Sequence, residues 1–361
     1  MEGKVKNVVI SGIQQIGIGV ANLQEAWKWY RQFFGVDVKI FEEKAAAKLM
    51  LHYTGGEPRN RHAALAINLQ GGGGFEIWQY TDRIPVPAKF NISLGDLGIY
   101  AAKIKTRDVT TTYHNYRAKG AEIPGGLQKD PEGKYYFFIK DLYNNLFQVV
   151  CGKSMFRNEK KLTGATYGAI IGVSNIELAR VLYSGILGYD VVVYDKTGVF
   201  EDFSVLPGGS EPVRRVLLRH SQSRMGIFSK IFGPSEIELV STLERIPNRI
   251  FQGRFWGDLG FIHLCYDVNG MDTLREQCAA SGLPFTVDSQ KTQNDDSFDM
   301  GEAAGRFAYV EDPDGTLIEF VETHKIPVIK KLGWYINLRK RDPEKALPDW
   351  LVKALRFNRV K

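Results

Sequence analysis

The sequence predicts an α+β protein built from four copies of one strand-helix-strand-strand-strand unit. Three observations carry this reading: ordered repeats between the two halves, helix-like stretches each closed by a glycine, and alternating apolar segments between them. Gly19-Val-Ala-Asn22 recurs as Gly172-Val-Ser-Asn175, an offset of 153 residues that also relates Tyr30 to Tyr183, Gly35 to Gly188 and Asp37 to Asp190. Arg83-Ile-Pro85 recurs as Arg245-Ile-Pro247, and Gly95-Asp-Leu-Gly98 as Gly257-Asp-Leu-Gly260, both at an offset of 162 that Gly120 and Gly282 keep. Near the end of each half, Asp141 to Gln148 parallels Asp312 to Glu319 at an offset of 171. Order and spacing kept this well mark a duplication whose second copy has longer loops.

The elements follow in order. A strand over Gln15 to Val20 leads to a helix over Glu25 to Phe34, with Trp27, Trp29, Tyr30, Phe33 and Phe34 along it and Gly35 as its stop. Alternating segments such as Ala63 to Leu69 and Phe75 to Tyr80 read as strands. Between them, Gly71 to Gly74 is a hairpin turn and not a phosphate loop, because a strand follows it and no Lys-Ser/Thr closes it. The second quarter repeats the scheme, with a strand over Ile99 to Ile104, a helix over Thr110 to Lys119, Gly120, and strands to Val150. The modules span approximately 12–82, 95–152, 163–242 and 257–324. The expected domains are 1–152 and 163–325, joined by the charged segment 153–162, with a basic extension over 326–361. Within that extension, Pro343 to Arg356 places Trp350, Leu351, Ala354 and Leu355 at helical spacing, which predicts a helix packed on the second domain or over its pocket.

Charge and cysteine content narrow the function classes. The net charge is +6, but residues 325–361 carry 11 Lys/Arg against 3 Asp/Glu, a local +8 that leaves −2 for the rest. A near-neutral body with a basic tail lacks the working face of Lys and Arg that nucleic-acid binding needs. Cys151, Cys265 and Cys278 have no C-x-x-C spacing and no even framework, which excludes zinc fingers and disulfide scaffolds. No run reaches the ~18 apolar residues of a membrane span, and Met1 to Ser11 lacks an apolar leader segment. A cytoplasmic protein acting on a small molecule, as monomer or homodimer, is the expectation.

Two segments resemble the vicinal oxygen chelate superfamily, which includes glyoxalases, extradiol dioxygenases and bleomycin-resistance proteins. Phe261-Ile-His-Leu-Cys-Tyr-Asp-Val-Asn-Gly270 is similar to the family's first strand, and Arg306 to Phe320, with its Asp-Pro-Asp-Gly turn, to its last hairpin. The resemblance covers about residues 12–324. It implies that two modules pair into a curved eight-stranded sheet around a cup, with metal ligands on the first and last strands of each module. The four positions fall on Gly168, Glu238, His263 and Glu319 in the second half, and on Gln15, Glu76, Ala101 and Gln148 in the first.

With consecutive modules paired, the second half holds the better set. Glu238, His263 and Glu319 are expected to bind a divalent metal (Zn, Ni, Co, Mn or Fe). Glu238 and Glu319 are the candidate catalytic carboxylates, and Gln15 and Glu76 a relic. His220, Cys265, Tyr309 and His324 are candidate pocket residues, with Arg219 a further contact. The implied chemistry is that of a glyoxalase-like isomerase, epimerase or lyase working through a metal-stabilised enolate. Two alternatives stand beside it. A dioxygenase needs a second imidazole, which here means His220, and a metal-free binding protein would explain Gly168 and Ala101.

Overall fold

The computed structural model describes residues 8–292, 298–299, 304–329 and 334–360. Each module forms as the repeats predict. The first has β1 (Val9–Gly19), α1 (Leu23–Phe34), β2 (Val38–Ala46), β3 (Asn60–Ile67) and β4 (Gly74–Tyr80). The second has β5 (Gly98–Thr106), α2 (Val109–Ala118), β6 (Leu127–Lys129), β7 (Tyr135–Lys140) and β8 (Leu146–Cys151). The third has β9 (Thr163–Gly172), α3 (Ile176–Arg180) running into a π turn over Val181–Ile186, β10 (Val191–Gly198), β11 (Val213–Arg219), α4 (Ser229–Phe232) and β12 (Glu236–Thr242). The fourth has β13 (Gly260–Asn269), α5 (Met271–Ala280), the short β14 (Val287–Asp288) and β15 (Phe298–Asp299), β16 (Ala304–Glu311) and β17 (Leu317–Ile329). The repeated Asn22 and Asn175 are N-caps, accepting from the backbone N–H of Glu25 and Leu178. Gly35 closes α1 in the left-handed conformation at φ 65°.

The modules do not pair in the expected consecutive order. One mixed sheet runs β14-β16-β17-β13-β1-β4-β3-β2 and joins the fourth module to the first. The other runs β10-β11-β12-β9-β5-β8-β7-β6 and joins the third to the second. At the centre of each, two first strands lie antiparallel, β1 on β13 and β5 on β9. Segment 153–162 therefore lies within one sheet, between β8 and β9. The chain changes sheets along 81–97 and 243–259, the segments that hold the Arg-Ile-Pro and Gly-Asp-Leu-Gly repeats.

Those repeats clamp the two crossovers to each other. Arg83 Nη1 donates to Asp258 Oδ1 at 2.6 Å, and Arg245 Nη1 donates to Asp96 Oδ1 at 2.7 Å. Both aspartates are fully buried, and each also accepts two backbone N–H groups, from Val86 and Phe255 at Asp258 and from Ser93 and Asn248 at Asp96. A buried carboxylate so surrounded is compensated on every side. The other repeated pair ties consecutive modules across the sheets: Tyr30 donates to Asp141 at 2.6 Å and Tyr183 to Asp312 at 3.0 Å.

Strand alternation divides each sheet into two faces. Ile16, Ile18, Phe75, Ile77, Leu264, Tyr266, Ile318 and Phe320 enter one core shared with α1, whose Trp27, Tyr30, Phe33 and Phe34 are buried there. The intervening residues face the concave side. After β17, the extension adds β18 (Trp334–Asn337) to that strand and then forms α6 (Asp349–Ala354) with a 3-10 turn over Leu355–Asn358. The helix is shorter than predicted because Pro348 sets its start. No helix among the described residues is long and apolar enough to cross a membrane.

Candidate metal centre

On the concave side of the sheet shared by the first and fourth modules, register lines up two rows of side chains. One row runs Glu76 on β4, Gly17 on β1 and His263 on β13. The next runs Gln15, Cys265, Glu319 on β17 and Tyr309 on β16. His263 Nε2 lies 3.1 Å from Glu319 Oε2 and 3.4 Å from Glu76 Oε2, and Gln15 Nε2 lies 3.5 Å from Glu76 Oε2. Glu76, His263 and Glu319 each offer a ligand atom within 4.8 Å of the others. Two ligands on one ion sit at most about 4.4 Å apart, twice the metal–oxygen bond length, so the cluster is close to a coordination shell.

His263 Nε2 and Glu319 Oε2 are close, yet neither has a partner in hydrogen-bond geometry, and Gln15 Oε1 is likewise buried without one. Burial disfavours a charge on His263, but Glu319 and Glu76 outweigh it and raise its pKa to about 9. The site attracts positive charge. One imidazole, two carboxylates and an amide oxygen suit a borderline or hard divalent ion. Trp256 stacks on the imidazole at 6.2 Å and 12°, and Tyr309 meets it edge-on at 5.5 Å.

Gly17 makes the imidazole fit. A Cβ there would sit 2.5–2.8 Å from three ring atoms of His263. In the other sheet Ile170 occupies the position of Gly17 and Ala101 that of His263, and both are buried. Bulk has changed sides across the strand pair, and no imidazole can enter.

That second sheet corrects the expected ligand set, because Glu238 lies in it and does not join His263 and Glu319. Lys103, two residues along β5 from Ala101, sends its ammonium to Glu238 Oε2 and Glu236 Oε1, each at 2.9 Å. Arg215 reaches Glu238 at 2.7 Å and Asp202 at 2.8 Å, Tyr194 donates to Glu238 at 2.7 Å, and Arg219 pairs with Glu236 at 2.7 Å. Burial would raise the Glu238 pKa, but Arg215 and Lys103 prevail and hold it at about 2. Protein cations stand where a metal would bind. Gly168, opposite Lys103 in register, has no room for a ligand, since a Cβ would collide with the Glu236 backbone.

The remaining candidates separate. Gln15 and Glu76 lie in the cluster with His263 and Glu319. Cys265 and Tyr309 border it, both buried, and burial raises the Cys265 thiol pKa. His324 lies on the opposite face of β17 from Glu319, beside Glu322, whose carboxylate accepts from the N–H groups that open α5. His220 lies at the end of β11 in the other sheet, on Tyr189 at 4.0 Å and bonded to Gly188 and Ser235. Neither histidine reaches the cup. Trp256, which the strand pattern did not single out, was missed because it comes from the second crossover.

A curled sheet of two βαβββ modules with converging donors on the end strands defines the vicinal oxygen chelate class. Residues 12–149 match the model of the Glyoxalase/Bleomycin resistance protein/Dioxygenase superfamily. Among solved structures, a putative dioxygenase from Bacillus subtilis aligns with 14% identity and a TM-score of 0.55, covering 87% of this chain and 86% of its own. Glyoxalase I from Zea mays aligns with 12% identity and a TM-score of 0.52, covering 86% and 92%. At such identities the likeness speaks for the fold. No curated protein matches.

Proposed function

We propose that the chain is a divalent-metal-dependent, glyoxalase-like enzyme, an isomerase, epimerase or lyase, with its reaction centre at Gln15, Glu76, His263 and Glu319. The observation that carries this reading is the convergence of Gln15, Glu76 and Glu319, which line a cavity of about 880 Å³, on the buried imidazole of His263. That volume is of the size that takes a small organic molecule. A bound divalent ion supplies stabilisation for negative charge developing on two neighbouring substrate oxygens.

The side chains account for the rest. Glu76 and Glu319 both line the cavity. Glu76 is restrained by the Gln15 amide, so Glu319 is the better placed to take and return a proton at the adjacent carbon. His263, wedged between Gly17 and Trp256, holds the geometry. One imidazole among the cluster favours proton transfer over oxygen activation, which uses two histidines and one carboxylate.

The test is a panel of α-hydroxyketones incubated anaerobically with the metal-loaded chain in D2O. Deuterium is expected to enter the carbon next to the carbonyl, and Glu319→Gln to slow this by about 100-fold or more. Turnover that requires oxygen, or exchange unaffected by Glu319→Gln, contradicts the reading.

A further inference from the structure

The cavity has two unlike ends. At one, Arg61, Glu43 and Lys48 provide polar lining, with Arg61 Nη2 bound to Glu43 Oε1 at 2.6 Å. At the other the lining is apolar, from Ile67 on β3, Phe228, Ile231 and Phe232 around α4, and Leu351 and Leu355 of the C-terminal segment. Glu319, Val321 and Thr323 line the path between, as successive inward residues of β17. Four residues of strand span about 13 Å, so the apolar end lies roughly that far from the metal cluster.

We infer that the substrate is amphipathic, with vicinal oxygens at Glu76, His263 and Glu319 and an extended apolar body lying toward α4 and the C-terminal helix. This rests on the proposed function for the oxygenated end alone; the apolar end stands on its own lining. Between the metal cluster and α6 the wall presents no charged side chain among the described residues, so a charged body would lose its hydration without recompense. The walls are contiguous with an apolar cluster of Val38, Ile67, Ile231, Phe232, Leu347 and Val352, with Leu351 and Leu355 against it. Trp350 and Phe357, 62% and 77% exposed, extend the apolar surface past the rim. The C-terminal extension thus shapes substrate choice.

The experiment compares acetohydroxamate with octanohydroxamate, which share a vicinal-oxygen head and differ by six methylenes, by calorimetry on the full chain loaded with Co(II). Octanohydroxamate is expected to bind about 100-fold tighter, below the full transfer value for six buried methylenes. Leu351→Ser with Leu355→Ser is expected to cut that advantage below about tenfold, with the Co(II) absorption spectrum of the variant reporting an intact cluster. In parallel, octanoate and acetate are titrated into the chelator-treated chain. Octanoate binding without metal, alongside failure of both hydroxamates, sinks the metal reading and keeps the apolar end. Equal affinity for the long and short ligands in both states overturns the inference.

Discussion

At the scale of single residues, the metal cluster depends on an absence of side chain. Gly17 leaves the space that the His263 ring fills, and the corresponding pair in the other sheet, Ile170 and Ala101, shows the reverse solution. Gly17→Ala is therefore expected to displace the imidazole and weaken Co(II) or Zn(II) binding by at least about tenfold, measured by competition with a chromophoric chelator. Unchanged affinity would mean that the imidazole takes no part. His263→Ala removes the nitrogen donor outright and is expected to cost about 100-fold or more in the same assay, while Glu238→Gln leaves it unchanged.

At the scale of elements, β5 and β13 are copies of one strand that set different groups before a pair of carboxylates. Along β13 His263 faces Glu76 and Glu319, whereas along β5 Lys103 bridges Glu236 and Glu238. Removing that ammonium leaves Arg219 and Arg215 as the cations on Glu236 and Glu238, so Lys103→Met is expected to lower unfolding free energy by about 3–5 kcal/mol in urea titrations. The network also predicts acid lability. Glu238 is held at about 2, below its ordinary value, so its stabilisation is complete above about pH 4.3 and is lost as pH falls toward 2. The shift corresponds to about 3 kcal/mol. Urea midpoints at pH 5 and pH 3 should differ less for Glu238→Gln than for the parent chain, and an equal acid slope would remove Glu238 from the account.

At the scale of the whole molecule, four modules, their elements and the cluster positions were legible, with His263 and Glu319 among the expected ligands and Gln15 and Glu76 read as a relic, because alternation and repeated glycines are local signals. Their partnership was not. Every module has a similar first strand, so consecutive and nested pairing leave the same pattern in the sequence, and the reading that kept Glu238 with His263 followed chain order. The deciding features are long-range: 17-residue crossovers at 81–97 and 243–259 against an 11-residue connection at 152–162, and the reciprocal Arg83–Asp258 and Arg245–Asp96 pairs. The cluster thus draws two side chains from the first module and two from the fourth. Fragments 1–157 and 158–361 are each expected to bind no divalent ion at the affinity of the intact chain, since each holds half the donors. The most direct measurement is anomalous diffraction at the zinc edge from crystals of the Zn(II)-loaded chain. The account predicts one peak within about 2.0–2.2 Å of His263 Nε2 and of oxygens from Glu76 and Glu319, with Gln15 adjacent; a peak at Glu238, or none in this cup, would contradict it.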